Sequence, residues 1–519
     1  MIQNEASSRF TALQKIVLIT SPIVLIALRV LSRWPLIASF DGFAFRDNGS
    51  FLKLDHLLDK HLKIGVDVGY PYGFLPILVQ RFYSGFFGSG PWQMIGFQLI
   101  YAVLNALFWV LLLLEVEFSW ARIALLIAFQ SFLIIGLPTP AHGLMQLSII
   151  FALYFLLKER LDLALLVAAI GSLALPTIPI PLAAIVSLVI LLHWLAAKDR
   201  HWSQLVRRFV PAVLGYLAVL AILIAKFGRA SVLPSLLPLR GAAHYKIMNY
   251  GFVREGRNFW DPAGANYRYY LGNHAGIWIL SSLLLLAYAL ACSVRMFHLR
   301  RLRGVPLIVV TCAILHVTFV SLGFGGAFSS VYYEPLLAIG LLLGICEFHT
   351  PRVRGVIALC LLVFGVLGSF QEGRFELRKW RDDHASAETA NLFASESVRR
   401  EWVQVLDLAA RHRVFVLSVG GGLDTLYPQV GWSQSWFLLP GITTPRGNQF
   451  VVDQMREADV VAEATDEPII LTKIDPVWRR ILKSFPVHLA GQHFELFGND
   501  RALSDSSISY LTSDGFVRR

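Results

Sequence analysis

Residues 40–86 read FDGFAFRDNGSFLKLDHLLDKHLKIGVDVGYPYGFLPILVQRFYSGF. One long apolar run ends just before this stretch and another begins soon after it. Between them lie Asp41, Asp47, a polar piece with helical spacing over 51–62, the turn Gly65-Val-Asp67 and the cluster Tyr70-Pro-Tyr-Gly-Phe-Leu-Pro76. Carboxylates held at a membrane–water boundary are costly unless solvated or paired, so acids in that position are candidates for function. The rest of the chain reads as a frame that holds this loop against a bilayer.

Hydrophobic residues make up 55% of the 519 and charged residues only 16%, against about 25% charged in soluble domains. Runs at 16–38, 95–114, 209–225 and 356–370 each approach the ~20 residues that cross a bilayer. The chain is therefore expected to be a polytopic membrane protein. Its formal charge of +11 lies largely in short basic turns beside the apolar runs. The positive-inside bias accounts for it, and no nucleic acid is implied. Residues 1–15 lack the pattern of a cleaved signal peptide, so the first run is expected to remain as an anchor. Cys292, Cys312, Cys346 and Cys360 all fall in or at the ends of apolar runs, which argues against a disulfide framework or a zinc site.

Arg9 and Lys15 place the N-terminal tail, 1–14, in the cytoplasm. From there the short turns alternate. Those at 158–160, 198–208, 295–303 and 351–354 carry Lys or Arg, whereas 138–143 and 176–181 carry neither. The expectation is an all-α polytopic domain of about 11 transmembrane helices over 15–371, with external loops at 39–90 and 226–273. Arg29 and Arg33, in the outer half of the first run, would snorkel to the surface or pair with the acids that follow. Within the first loop, 74–86 is expected to be re-entrant or to lie along the surface. From 372 to 519 the chain turns charged and polar. Apolar stretches at 414–418, 468–472 and 494–497 read as strands, and 397–412 and 451–464 as helices. This predicts a small extracytoplasmic α/β domain.

The order Asp47, then Gly65-Val-Asp67-Val-Gly-Tyr-Pro-Tyr-Gly-Phe-Leu-Pro76, then Gly88 resembles the first external loop of the GT-C superfamily. These are integral-membrane glycosyltransferases, among them protein O-mannosyltransferases, aminoarabinose transferases and many bacterial mannosyl- and arabinosyltransferases. The resemblance covers that loop; beyond it, the likeness is one of architecture only. It departs from the family in two places. Asp41 and Asp47 are well separated, with Arg46 beside the second, where many members have adjacent acids or an Asp-x-Asp. At the Gly-Pro-Leu position stands Gly73-Phe-Leu-Pro76. The resemblance implies transfer of a sugar from a polyprenyl-phosphate donor to a glycan, lipid or protein acceptor at the outer face. It points to Asp47 as the catalytic acid, with Asp41 second. Such a carboxylate takes the proton of an acceptor hydroxyl or holds a divalent metal, Mg or Mn, through oxygen ligands. Some members use a metal and others do not.

The second external loop carries Arg240, Lys246, Arg254 and Arg257 among several tyrosines. Arginine forks suit a lipid-linked phosphate, while an ordinary interfacial belt explains the same composition. Tyr70, Tyr72, Asp67 and His142 are the candidate pocket residues, although a lone loop histidine is more often simply solvated. His316 sits within a span, where a hydrogen bond to a neighbouring helix is the simpler reading. Glu334 suits a structural ion pair with a loop arginine. Gly420-Gly-Gly-Leu-Asp424 lacks both the Gly-Lys-Ser/Thr ending and the GxGxxG spacing of phosphate loops, and reads as a strand-to-helix turn. Two other classes compete with the enzyme reading: a transporter or lipid flippase, which calls for broken helices and deep ionisable groups, and a non-catalytic scaffold.

Overall fold

The structure, a computed structural model, describes residues 12–40, 47–70, 72–114, 139–197, 199–236, 274–299, 301–321, 327–418, 422–431, 445–465, 476–503, 510–512 and 516–518. The membrane region begins with α1 (Ala12–Ser32) and the short α2 (Trp34–Ile37). In the first loop come α3 (Asp47–Asp59) and α4 (Leu75–Phe87). Then follow α5 (Pro91–Leu114), α6 (Pro140–Leu157), α7 (Leu161–Gly171), α8 (Pro179–Ala196), α9 (Trp202–Phe227) and α10 (Arg229–Ser235). The bundle is completed by α11 (His274–Leu299), α12 (Gly304–Ser321), α13 (Ala327–Phe348) and α14 (Pro351–Asp382). Proline opens α5, α6, α8 and α14, at the helix start where its missing N–H costs nothing.

Among the described residues five helices are long and apolar enough to cross a membrane: Ala12–Ser32, Pro140–Leu157, Pro179–Ala196, Trp202–Phe227 and Leu280–Leu299. That is fewer than the eleven expected. Three further apolar segments, Leu161–Gly171, Gly304–Phe319 and Leu336–Phe348, are shorter. Between the turns at 158–160 and 176–181 the helix stops at Gly171, and residues 172–174 and 176–178 form turns around Pro176. Its 11 helical residues rise only ~16 Å, about half of a hydrocarbon core. The apolar stretch at 123–137, ahead of the turn at 138–143, lies outside the described residues. On α9, Val213, Leu214, Leu217 and Ile222 are all more than half exposed. In water such a stripe is an aggregation surface; in lipid it is ordinary.

Bundle interiors rely on close backbone approach. Gly340 and Gly344 on α13 face α11, where an added Cβ would sit 2.5 Å from Leu285 and 2.7 Å from Tyr288. This is the small-xxx-small contact typical of membrane helices. The cysteines are free, and Cys292, Cys312 and Cys346 are buried there as small apolar residues.

The helix α14 runs without a break across the composition change at 371 to Asp382. Beyond it come β1 (Asp383–Ala385) and β2 (Phe393–Ser395), paired antiparallel. A five-stranded sheet follows, built from β3 (Val414–Leu417), β4 (Val460–Ala464), β5 (Val487–Ala490), β6 (Phe494–Gly498) and β7 (Val517–Arg518). Its order is β3-β4-β6-β5-β7, with β3 and β4 parallel and the remaining pairs antiparallel. Four helices accompany it: α15 (Glu396–Ala409), α16 (Leu423–Leu426), α17 (Pro445–Glu457) and α18 (Pro476–Leu482). The expected helix over 451–464 is corrected. The helix α17 ends at Glu457, and Val460–Ala464 is the interior strand β4. Alanine and glutamate favour a helix in isolation, but here the segment is buried on both faces between β3 and β6. The expected strand at 468–472 lies outside the described residues.

One face of the sheet packs on α17 and α18 through Phe415, Val461, Trp478 and Phe497. The opposite face shares a core with the first loop. Phe40, Phe51, Leu54 and Phe74 cluster with Trp402, Tyr427, Val416 and Phe494. The α/β region is thus closed on one side by the very loop the sequence singles out.

Candidate functional site between the first loop and the α/β region

Residues of the joining turns sort to two ends of the bundle. At one end, Gly73 N–H donates to Ala174 O at 2.9 Å and Leu75 N–H to Leu173 O at 3.1 Å. There too, Gly65 packs on Ser231 O, Trp380 Nε1 donates to Ser32 O at 3.1 Å and Phe393 N–H to Ala38 O at 2.8 Å. At the other end Arg303 meets Glu159 at 3.5 Å, Arg295 pairs with Glu347 and His193 Nε2 lies 3.0 Å from Leu302 O. The first set is drawn from turns the sequence assigns to one side, the second from turns it assigns to the other.

Asp47 is the first residue of α3, and two residues on Gly49 touches the α/β region. An added Cβ on Gly422 would lie 2.9 Å from Gly49 Cα, so the two backbones meet at the strand-to-helix turn after β3. That turn does lead from a strand to a helix, since Gly422 caps α16. Asp41 lies outside the described residues, as do Arg240, Lys246, Arg254 and Arg257 of the second loop.

The helix α3 is buried along most of its length rather than solvated on one face. Lys53 and Asp424 form an ion pair of 2.7 Å with side chains only 1% and 6% exposed. Two residues further, Asp55 accepts from Gln80 Nε2 at 3.0 Å and from Ser84 Oγ at 3.2 Å, both on α4. Its other oxygen, Oδ1, makes no hydrogen bond, with Arg81 at 3.9 Å. Burial raises the Asp55 carboxyl above the usual carboxylate range, and the hydrogen bonds from Gln80 and Ser84 and the nearby charge of Arg81 offset this only in part. It borders a cavity of about 10 Å³ lined by Ser84, Gly90 and Gln93, room for about one water.

The candidate pocket residues divide. Tyr70, Tyr72 and His142 come together: Tyr70 and Tyr72 meet edge-on at 5.6 Å, and Tyr72 and His142 at 5.4 Å. Tyr72 also stacks on Phe51 of α3. His142 is not a solvated loop residue. It lies in the first turn of α6, 5% exposed, with Nδ1 2.6 Å from Thr139 Oγ1. Asp67 stands apart. It accepts from Lys63 N–H at 3.0 Å to close its own turn and pairs with Arg446 of α17 at 2.7 Å, a tie between loop and α/β region. Gly73 is obligatory for a different reason. A Cβ there would fall 1.9 Å from Leu173 O, which no side chain permits.

Sequence reasoning passed over Lys53, Asp55, Gln80 and Asp424. The one available signal was Phe51-Leu-Lys-Leu-Asp55-His-Leu-Leu58, whose apolar positions spread over more than one helical face. Deep in the bundle, His316 Nε2 lies 2.8 Å from Ser282 Oγ of α11, the interhelical hydrogen bond expected of it. Glu334 has no describable side chain. Among the described residues no group of three or more His, Cys, Asp or Glu side chains is placed to hold a metal ion.

Comparison with family models, characterised proteins and solved structures finds no match.

Proposed function

We propose that this protein is a membrane glycosyltransferase moving a sugar from a polyprenyl-phosphate donor to a glycan, lipid or protein acceptor at the outer face of the plasma membrane. The observation that carries this reading is the lodging of α3, which opens at Asp47, between the membrane bundle and the α/β region. An acid at the start of that helix would be within reach of both a lipid-borne donor and an acceptor delivered from the aqueous side. In the reaction, an acceptor oxygen attacks the anomeric carbon and the bond from that carbon to the donor phosphate oxygen breaks. The polyprenyl phosphate leaves with the electron pair, while the Asp47 carboxylate takes the hydroxyl proton. Arg240, Lys246, Arg254 and Arg257 would offset charge on the leaving phosphate, and Tyr70, Tyr72 and His142 would wall the pocket. The end of the bundle carrying the first loop and the α/β region would face the cell exterior, with about eleven spans in all. The apolar helices and basic turns support that arrangement.

The test is transfer of labelled sugar from a polyprenyl-phosphate donor by the purified protein, with Asp47→Asn and Asp41→Asn alongside and with and without chelator. Loss on Asp47→Asn, with folding and donor binding retained, supports the assignment. Loss on Asp41→Asn alone moves the base. A wild type inert with all donors and acceptors refutes the enzyme reading.

A further inference from the structure

At the end of the bundle away from the first loop, the α6–α7 turn, the close of α8 and the start of α9 border a cavity of about 730 Å³. Its charged lining is Glu159, Arg160, Asp162, Arg207 and Arg208. Both acids are already engaged: Asp162 with Arg160 at 3.6 Å and Glu159 with Arg303 at 3.5 Å. Arg207 and Arg208 take part in no ion pair among the described residues. The cavity therefore offers two uncommitted guanidiniums, the groups best matched to the planar oxygens of a phosphate.

Depth says what kind of phosphate. The helix α9 leads from this cavity to the first loop, where Phe227 packs on Phe74 at 5.2 Å. Between Arg208 and Lys226 of that helix the chain is apolar apart from Tyr216. Its rise over that interval is ~27 Å at 1.5 Å per residue, close to the ~30 Å of a hydrocarbon core. Arg207 and Arg208 thus stand at the headgroup level of the leaflet opposite the first loop. Trp194 lines the cavity and packs on Trp202, with ring centroids 4.9 Å apart, as aromatics at membrane interfaces do. Beneath this level, Leu188 of α8 and Val213, Leu214 and Leu217 of α9 are each more than half exposed, a surface suited to acyl chains.

We propose that this cavity binds the phosphate headgroup of an anionic phospholipid, with Arg207 and Arg208 on the phosphate and the acyl chains along α8 and α9. Basic recesses between membrane helices recognise lipid headgroups by this chemistry. The inference rests on the membrane reading alone and is independent of the sugar-transfer reaction. It also gives the arginines of this turn a use beyond setting orientation.

The test is native mass spectrometry of the full-length protein in detergent, titrated in turn with phosphatidylglycerol, phosphatidylcholine and inorganic phosphate. Wild type is compared with Arg207→Gln/Arg208→Gln, and with Arg352→Gln as a basic residue exposed at the same end but outside the cavity. The expected result is a saturable phosphatidylglycerol adduct, weakened at least tenfold in the double variant and unchanged in Arg352→Gln. Equal binding of phosphatidylcholine, an unaltered adduct in the double variant, or the same loss in Arg352→Gln overturns the site. Saturation by inorganic phosphate with no preference for the lipid overturns the choice of ligand. Circular dichroism and retention volume of the double variant matching wild type separate lost binding from lost fold.

Discussion

Replacing Lys53 by Met removes one partner of a pair whose side chains are 1% and 6% exposed. At the surface such a change costs about 0–1 kcal/mol, because water and salt screen the pair. Here neither charge has solvent to return to without opening the contact between α3 and the α/β region. The loss belongs to the buried class, about 3–5 kcal/mol, since the Asp424 carboxylate loses its Lys53 partner without regaining water. That is a hundredfold or more in the ratio of docked to undocked forms. Large membrane proteins seldom unfold reversibly, so the readout should be local. Hydrogen exchange by mass spectrometry on peptides covering 47–59 and 423–431 reports opening of this contact directly. Lys53→Met should accelerate exchange in both peptides together. The double variant Lys53→Met/Asp424→Leu should restore most of the protection, because an apolar pair can replace a buried ion pair with little net cost. Arg400→Gln, breaking an exposed pair with Glu396, should change nothing in either peptide. If Lys53→Met exchanges like wild type, or the double variant is no better protected than the single one, the pair does not hold the two regions together.

Glu463 on β4 lies in register with Glu495 on β6, and burial, joined by that second carboxylate, raises it from 4.5 to about 7. A carboxyl raised in the folded state contributes stability below its unfolded value and loses it as pH rises through the folded one. The α/β region should therefore weaken between about pH 5 and pH 8, and Glu463→Gln should flatten that dependence in thermal melts across the range. Gly73→Ala should abolish stable folding, or lower the melting temperature steeply, because its Cβ meets a backbone carbonyl. Gly85→Ala, in the last turn of α4 where nothing lies within 4 Å of an added Cβ, should be neutral or stabilise by up to about 1 kcal/mol.

Several features were legible because they depend on local chain properties. Apolar length marks the helices around 140–157, 179–196 and 202–227. The turn chemistry before residue 75 marks the break between α3 and α4. The strands at 414–417 and 494–498 show as short apolar stretches bounded by polar ones. The misreading at 460–464 has the same origin. Val-Val-Ala-Glu-Ala is locally ambiguous, and only the neighbours β3 and β6 make it a strand. The candidate site was half legible. The clustering of Tyr70, Tyr72 and His142 follows residue type and the alternation of turns, whereas the helix opens at Asp47, four residues before the 51–62 that the spacing suggests. Asp67 closes its own turn and pairs with Arg446, a partner 379 residues away that no local pattern announces.

What the sequence determined by itself is the membrane character of the chain, the helical bundle and the change of composition that announces the sheet. Run length, charge placement and turn residues act within a few turns of backbone. What only the tertiary structure decided is which charges are buried and with whom. Lys53 and Asp424 are 371 residues apart and look alike in sequence to any solvated pair. Their meaning comes from the shared core of Phe40, Phe51, Trp402 and Tyr427 that removes water from around them. Burial is a property of the packed whole, and it sets whether a charge is decoration or a fastening.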